Sequence, residues 1–250
     1  MTSEQLFTLL RDRFVELLQA HDIEAEPVEV TCRSLSSEEA IGTPERQDFP
    51  ILTGKDVMIQ AEFRGFRGQA FTDSPAAFSG SLTSILEMDI VHDAHARGLF
   101  VAVLNAVMAS LGLCKGTVHC RTDGPELCAA EMKTWLNNNR PNAKNITLVG
   151  YQPALLEMLS RGGYRVRVLD LNPANIGQVR HGVTVEDGAE AMQDAVNSAD
   201  VILCTGSTLC NGTIVDYILP EKDVLFYGTS AAGCAVLLGL NRVCFADHFQ

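Results

Sequence analysis

The stretch DVILCTGSTLCNGT, residues 200–213, decides how this chain is read. Five β-favouring, mostly apolar residues, Val201 to Thr205, run directly into a tail of small hydroxyls, two glycines and an amide. An apolar run without alternation fits a strand covered on both faces, which is the habit of parallel sheets. A tail such as GSTLCNGT then either makes an awkward turn or holds something.

The same grammar recurs along the second half of the chain. ITLVGY (146–151) is apolar and β-rich, and PALLEMLSRGG (153–163) reads as a helix with Pro153 in its first turn and glycines at its end. RVRVLDL (165–171) predicts a second strand and DGAEAMQDAVNSA (187–199) a helix. DVILCTG (200–206) is the third strand, followed by a helix to residue 219. DVLFYGTS (223–230) is the fourth, and RVCFA (242–246) offers a last one. Strands alternating with helices imply a parallel sheet with right-handed crossovers, so the back half is expected to be Rossmann-like. In such sheets ligands bind beyond the carboxyl ends of the strands, near the point where strand order reverses. The four strands end in GYQP, DLNP, TGST and YGTSAAG, each small or polar. Asp170 stands where dinucleotide folds keep a ribose-reading acid, although GYQP replaces the GxGxxG loop. Asp170 as a turn cap is the alternative, and Asn172-Pro173 is a turn signal by itself.

The front half has a different rhythm. Leu6, Leu10, Phe14, Leu17 and Leu18 recur at helical spacing, and Thr2 with Gln5 forms a capping-box pattern, so a helix is expected over residues 3–20. A strand is expected over 27–33, a polar and turn-rich stretch over 34–55, and a strand over 56–63. A turn at 64–68 leads to a returning strand over 69–72, with a loop over 73–81. Helices are expected over 93–111, ended by Gly112, and over 125–138. NNNRPNAKN (137–145) then breaks the pattern, which places a boundary between a front α+β domain, 1–138, and a Rossmann-like domain, 139–250.

These residues also carry a resemblance. VGYQPALLEML, LDLNP and above all TGSTLCNGT followed by YGTSAA resemble the Rossmann-like domain of the putative heavy-metal chelation family, over roughly residues 143–250. The front half is similar to that family's companion domain, which is like the small α+β domain preceding the barrel in enolases; VLNAV, with Asn105, resembles its long-helix motif. The resemblance implies a ligand pocket between the two domains and a role in binding metal or a metal-chelating small molecule. It does not imply a reaction, and whether the chain is an enzyme stays open.

The expected ligand-binding wall consists of Gly150, Asp170, Asn172 and Pro173, then Thr205, Gly206, Ser207, Asn211 and Thr213, then Gly228 and Ser230. Asn105 is expected to reach in from the other side. Hydroxyls and amides of this kind grip better than they transfer protons. Ser207 lacks a GxSxG elbow, which argues against a hydrolase. For a metal, His119, Cys120 and Cys128 in GTVHCRTDGPELC (116–128) are the candidates, because thiolate and imidazole suit soft or borderline ions. Their spacing matches no zinc-finger pattern, and structural thiols are the competing reading. A second histidine group, His92 and His95 around Asp93, reads more simply as a helix start. The cofactor is therefore left between a transition metal and a nucleotide-like molecule such as S-adenosylmethionine or NAD.

Composition bounds the rest. The 250 residues are 46% hydrophobic, enough for a sizeable core, and 19 Lys+Arg against 31 Asp+Glu give a formal net charge of −12. Such a chain is not expected to grip nucleic acid over a broad surface. The N-terminus lacks a signal-peptide pattern, and the stretch 99–113 is too short and polar for a membrane span, so a cytoplasmic protein is expected. The eight cysteines include no CxxC pair and are expected as thiols, with Cys204 and Cys244 as packing residues. The partner expected is a small polar or anionic ligand; homo-oligomerisation is left open.

Overall fold

The computed structural model describes residues 1–23, 29–53 and 57–250. The first residues of two expected strands, 27–28 and 56, and the turn at Gly54 lie outside the described residues.

The chain folds as a mixed α/β protein with two sheets. Helix α1 (Ser3–Ala20) starts as its sequence predicts, with the Thr2 side chain and Gln5 closing a capping box. It buries Leu6, Phe7, Leu10, Phe14 and Leu18 along one stripe. Strands β1 (Glu29–Ser34), β2 (Val57–Phe63), β3 (Phe66–Thr72) and β4 (Phe78–Ser81) form an antiparallel sheet in the order β3-β2-β1-β4. The stretch 34–55 is not only turn: Ser36 and Glu39 make a capping box that starts α2 (Ser37–Ile41). The expected loop 73–81 ends in β4, which pairs with β1. Helix α3 (Leu82–Leu86) follows.

Helix α4 (Ala94–Ser110) is the axis of the molecule. Asp93 caps it through the His95 N–H at 2.8 Å, and every residue from Ala96 to Met108 is buried. A helix apolar all round must be covered all round. One side lies on β3 and β2, so closely that a Cβ on Gly68 would stand 2.2 Å from the Ala106 nitrogen. The other side meets the back half. Among the described residues no helix is long and apolar enough to cross a membrane.

Helix α5 (Gly124–Asn139) leads into the second sheet. Its strands are β5 (Asn145–Val149), β6 (Arg165–Asp170), β7 (Val179–Arg180), β8 (Val183–Asp187), β9 (Val201–Thr205) and β10 (Val224–Tyr227). The order is β10-β9-β5-β6-β8-β7, parallel except for the β7–β8 pair. Helices α6 (Pro153–Arg161) and α7 (Gly188–Ser198) supply two crossovers. After β9 the expected long helix is instead α8 (Ser207–Asn211) and a 3-10 turn, Thr213–Tyr217, because Gly212 between them is left-handed with φ 85°. Strand β8 was not expected from the sequence, and the segment 242–246 makes only a bridge from Arg242 to Phe226. Helix α9 (Ala232–Leu238) packs on α4, so one hydrophobic core runs from α1 through α4 into the face of the parallel sheet. Ile146, Leu148, Val168 and Leu203, with α5 and α6, form a second core on the opposite face.

Candidate functional site

The strand order reverses between β5 and β9. From β5 the chain steps outward to β6 and β8, then returns to place β9 and β10 on the other side. A crevice at this point is the expected ligand position in an open parallel sheet. A cavity of about 760 Å³ opens there, in the size range of small-molecule sites. Its other wall comes from the front half: Ile41, Phe49, Ile51 and Phe71, with His119 and Cys120.

The strand ends are placed as follows. Gly150 follows β5 with φ 83°, and a Cβ there would stand 2.6 Å from the Thr205 Cγ2, so only glycine lets these two loops meet. Asp170 ends β6, but both of its oxygens are occupied. Oδ2 accepts from the Tyr151 N–H (2.9 Å) and the Asn175 Nδ2 (3.2 Å), and Oδ1 accepts from the Asn172 N–H (2.7 Å). The carboxylate therefore orders two loops, which is the turn-cap alternative. Asn172 and Pro173 line the cavity beside it.

After β9, the Thr205 and Ser207 hydroxyls lie 3.1 Å apart, and the Asn211 Oδ1 accepts from the Thr213 N–H (3.0 Å) and hydroxyl (2.8 Å). Thr205, Gly206, Ser207, Asn211 and Thr213 all line the cavity, as do Gly228 and Ser230 after β10. The Ser230 hydroxyl accepts from the Phe71 N–H (2.9 Å), which ties the front sheet to the β10 loop. Tyr227 sits under the floor, its hydroxyl donating to the Val149 and Gly150 carbonyls (3.1 Å each), and burial raises its pKa.

Asn105 is elsewhere. It is fully buried in α4, its Nδ2 donating to the carbonyls of Gln69 and Thr229 (3.0 Å each) and its Oδ1 accepting from the Gly233 N–H (2.8 Å). It does not line the cavity, because every polar atom it owns stitches β3 to the β10–α9 loop.

The thiol and imidazole candidates do line it. His119 donates from Nδ1 to the Cys120 carbonyl at 2.6 Å, its own N–H donates to the Gln69 Oε1 at 2.7 Å, and its ring stands edge-on to Phe71. Burial lowers the His119 pKa. The Cys120 thiol is pushed well above its usual range by the Cys128 thiol first and then by burial. Metal ligation needs thiolates. Among the described residues no three His, Cys, Asp or Glu side chains stand together so as to hold a metal ion. In the set His119, Cys120 and Cys128 the His119 Nδ1 is spent on a carbonyl, which leaves Nε2 as its open nitrogen. All eight cysteines are free; Cys204 is buried as expected, whereas Cys244 is half-buried and lines the cavity. His92 pairs with Asp89 at the exposed start before α4.

Among the contributors that sequence reasoning missed are Asp73, Asp216 and, from the front segment, Ile41, Phe49, Pro50 and Ile51. The available signal was the apolar island Phe49 to Leu52 inside a polar stretch. That segment is fastened from outside. Arg46 donates to Glu126 (2.7 Å) and to Glu157, and Tyr151 donates its hydroxyl to Asp48 (3.0 Å).

Residues 136–241 match the model of a family described as "Putative heavy-metal chelation" (DUF364), so the resemblance carried by TGSTLCNGT is borne out over that segment. A crystal structure of a DUF364 protein of unknown function from Pyrococcus horikoshii is similar in fold, with a TM-score of 0.50 and 16% identity. The match covers 90% of this chain and 80% of that one. Another DUF364 protein of unknown function, from Desulfitobacterium hafniense, gives a TM-score of 0.45 and 12% identity over 74% of this chain and 71% of that one. No curated protein matches.

Proposed function

We propose that this chain binds a small organic molecule in the cleft between its two sheets, and that any part it takes in heavy-metal chelation runs through such a molecule rather than through a bare ion. The observation that supports this reading is one cavity of about 760 Å³, walled on one side by four strand-end loops at the reversal point and on the other by the front half. The same reading takes residues 1–138 and 139–250 as two domains with the ligand between them. Among the described residues no three His, Cys, Asp or Glu side chains stand together to hold an ion.

Native mass spectrometry of freshly isolated protein tests it. A bound organic mass, released on denaturation, is the expected result; a bare metal adduct, or no adduct together with no response to any small-molecule library, would count against it. Asn211 is exposed and its bonds are local. Asn211→Ala should therefore weaken retention of the co-purified molecule while changing stability by less than about 0.5 kcal/mol. Equal losses of ligand and stability would make Asn211 a turn residue only.

The strand order favours a second reading, a nucleotide-like cofactor such as S-adenosylmethionine or NAD at the β5–β9 reversal. It requires Asp170 to leave its loop contacts for a ribose. A thermal-shift panel of nucleotides that leaves the melting temperature unmoved would remove it.

A further inference from the structure

The loop that joins β10 to α9, residues 228–231, holds hydrogen-bond donors that the protein leaves unused. Thr229 lines the cavity and is 1% exposed, yet its hydroxyl is buried without a partner. The backbone N–H groups of Gly228, Thr229, Ser230 and Ala231 reach no acceptor among the described residues. Ser230 and Ala231 are buried as well. The Ser230 hydroxyl accepts from the Phe71 N–H, and its own proton has no described acceptor. These are not the opening donors of α9. The Ala232 N–H donates to the Thr229 carbonyl at 3.0 Å, and the Gly233 N–H to the Asn105 Oδ1 at 2.8 Å. They belong to the loop itself, which turns at Gly228 with φ 87°. Successive open N–H groups in a turn make a concavity for an anion.

The loop after β9 faces it at close range. A Cβ on Gly206 would stand 2.6 Å from the Ala231 nitrogen, and one on Gly228 3.9 Å from the Gly206 nitrogen. Of the Thr205 and Ser207 hydroxyls, 3.1 Å apart, one donates to the other, which leaves one proton unused. Buried donors are costly when unmatched, and the four N–H groups can do nothing but donate. What matches them is a group that only accepts, and accepts several times. An ionised carboxylate or phosphate does so, whereas a neutral carbonyl offers two lone pairs. Of the carboxylates in the lining, Asp170 is matched by three donors. Asp73 and Asp216 stand exposed, where water and salt screen them.

We infer that the 228–231 loop, with the Thr229 hydroxyl among its donors, seats an oxyanion of the ligand, a carboxylate or phosphate head, against the Thr205 and Ser207 hydroxyls. This narrows the cleft-binding reading and rests on it. It leaves the apolar front wall of Phe49, Ile51 and Phe71 for the rest of the molecule.

Three aryl probes test it: benzoate, phenyl phosphate and the neutral benzamide, each titrated into the 15N-labelled full chain at neutral pH. At least one anion should move the amide resonances of residues 228–231 and bind about tenfold more tightly than benzamide, since charged acceptors hold hydrogen bonds about twice as strongly as neutral ones. Which anion prevails tells a carboxylate head from a phosphate. Thr229→Val removes the hydroxyl at nearly constant shape. The melting temperature of the free variant should stay level or rise, because an unmatched buried hydroxyl is lost, while its affinity for the preferred anion falls about tenfold. Thr229→Ser should restore that affinity, and Thr229→Ala is read in place of Thr229→Val should the latter fail to fold. Benzamide binding as tightly as both anions, anions that move only the amides after β5 and β6, or an affinity unchanged without the hydroxyl would overturn the inference and leave the cleft reading standing. Loop amides unmoved by either anion would overturn it too. The cleft reading fails separately, when no organic mass co-purifies and no library compound responds.

Discussion

Asn105 sits completely buried in a long helix buried from Ala96 to Met108, where an amide without partners would cost several kcal/mol. Its partners explain why it is tolerated. Two donors and one acceptor meet backbone groups from β3, from Thr229 and from Gly233, three places that are distant in sequence. Asn105→Ala leaves those carbonyls and one N–H buried without partners, and should destabilise the fold by about 3 kcal/mol in urea unfolding. A ligand-contacting asparagine would instead cost affinity with little stability. The sequence marks Asn105 as an anomaly on an apolar helix, but the anomaly alone does not say whether the amide faces a ligand or a backbone. His119 is the reverse case. Its neighbours Cys120 and Cys128 suggest a metal, and only the geometry reveals that Nδ1 is fixed on a carbonyl and that Nε2 is its open nitrogen.

At the scale of elements, the contact between α4 and β3 holds the front half together. Gly68 lies against the helix backbone, with the Ala106 nitrogen 2.2 Å and the Ala102 oxygen 2.3 Å from where a Cβ would stand. Backbone cannot step aside as a flexible side chain can. Gly68→Ala should push the helix off the sheet and cost about 3 kcal/mol or more, measured as a fall in the denaturation midpoint, because overpacking of a tight interface is poorly relieved. Elements with strong local signals were legible in the sequence: α1 from its capping box and stripe, α4 from Asp93 to its end, and the strands β5, β6, β9 and β10 from apolar runs. The missed elements have weak ones. VTVED in β8 follows the turn after β7 near the edge of the sheet and alternates with polar residues, so it lacks the unbroken apolar run of a central strand. FSGS in β4 is held by pairing with β1 rather than by composition. The cavity wall from the parallel sheet was readable because four strand ends share one edge by topology. The opposite wall was not, because nothing local brings Phe49 and Ile51 to that edge.

What brings them there is visible only in the whole molecule. The segment after α2 is drawn onto the back half by Arg46, which bridges Glu126 on α5 and Glu157 on α6. Asp48 beside it takes the Tyr151 hydroxyl. This set of polar contacts closes one side of the cleft, while α4 and its shared core close the other, so the two halves should unfold together in one transition. The closure carries a pH signature. The hydrogen bond from Arg46 holds the Glu157 carboxyl below the usual range, against a smaller opposing effect of burial. A carboxyl with a depressed folded pKa binds fewer protons in the folded state than in the unfolded one. Its contribution is therefore complete above the unfolded value of about 4.3 and is lost as pH falls through the folded value. The wild type should lose stability steadily as pH drops below about 4.3. Arg46→Met should be less stable at neutral pH by about 1 kcal/mol, since Glu126 loses its partner and the more buried Glu157 keeps only the exposed Arg161, and part of its acid slope should vanish. Urea midpoints of the two proteins from pH 7 to pH 3 check this: the curves should converge as Glu157 protonates. Parallel curves across that range would mean that the Arg46 contacts do not hold the front segment over the cleft.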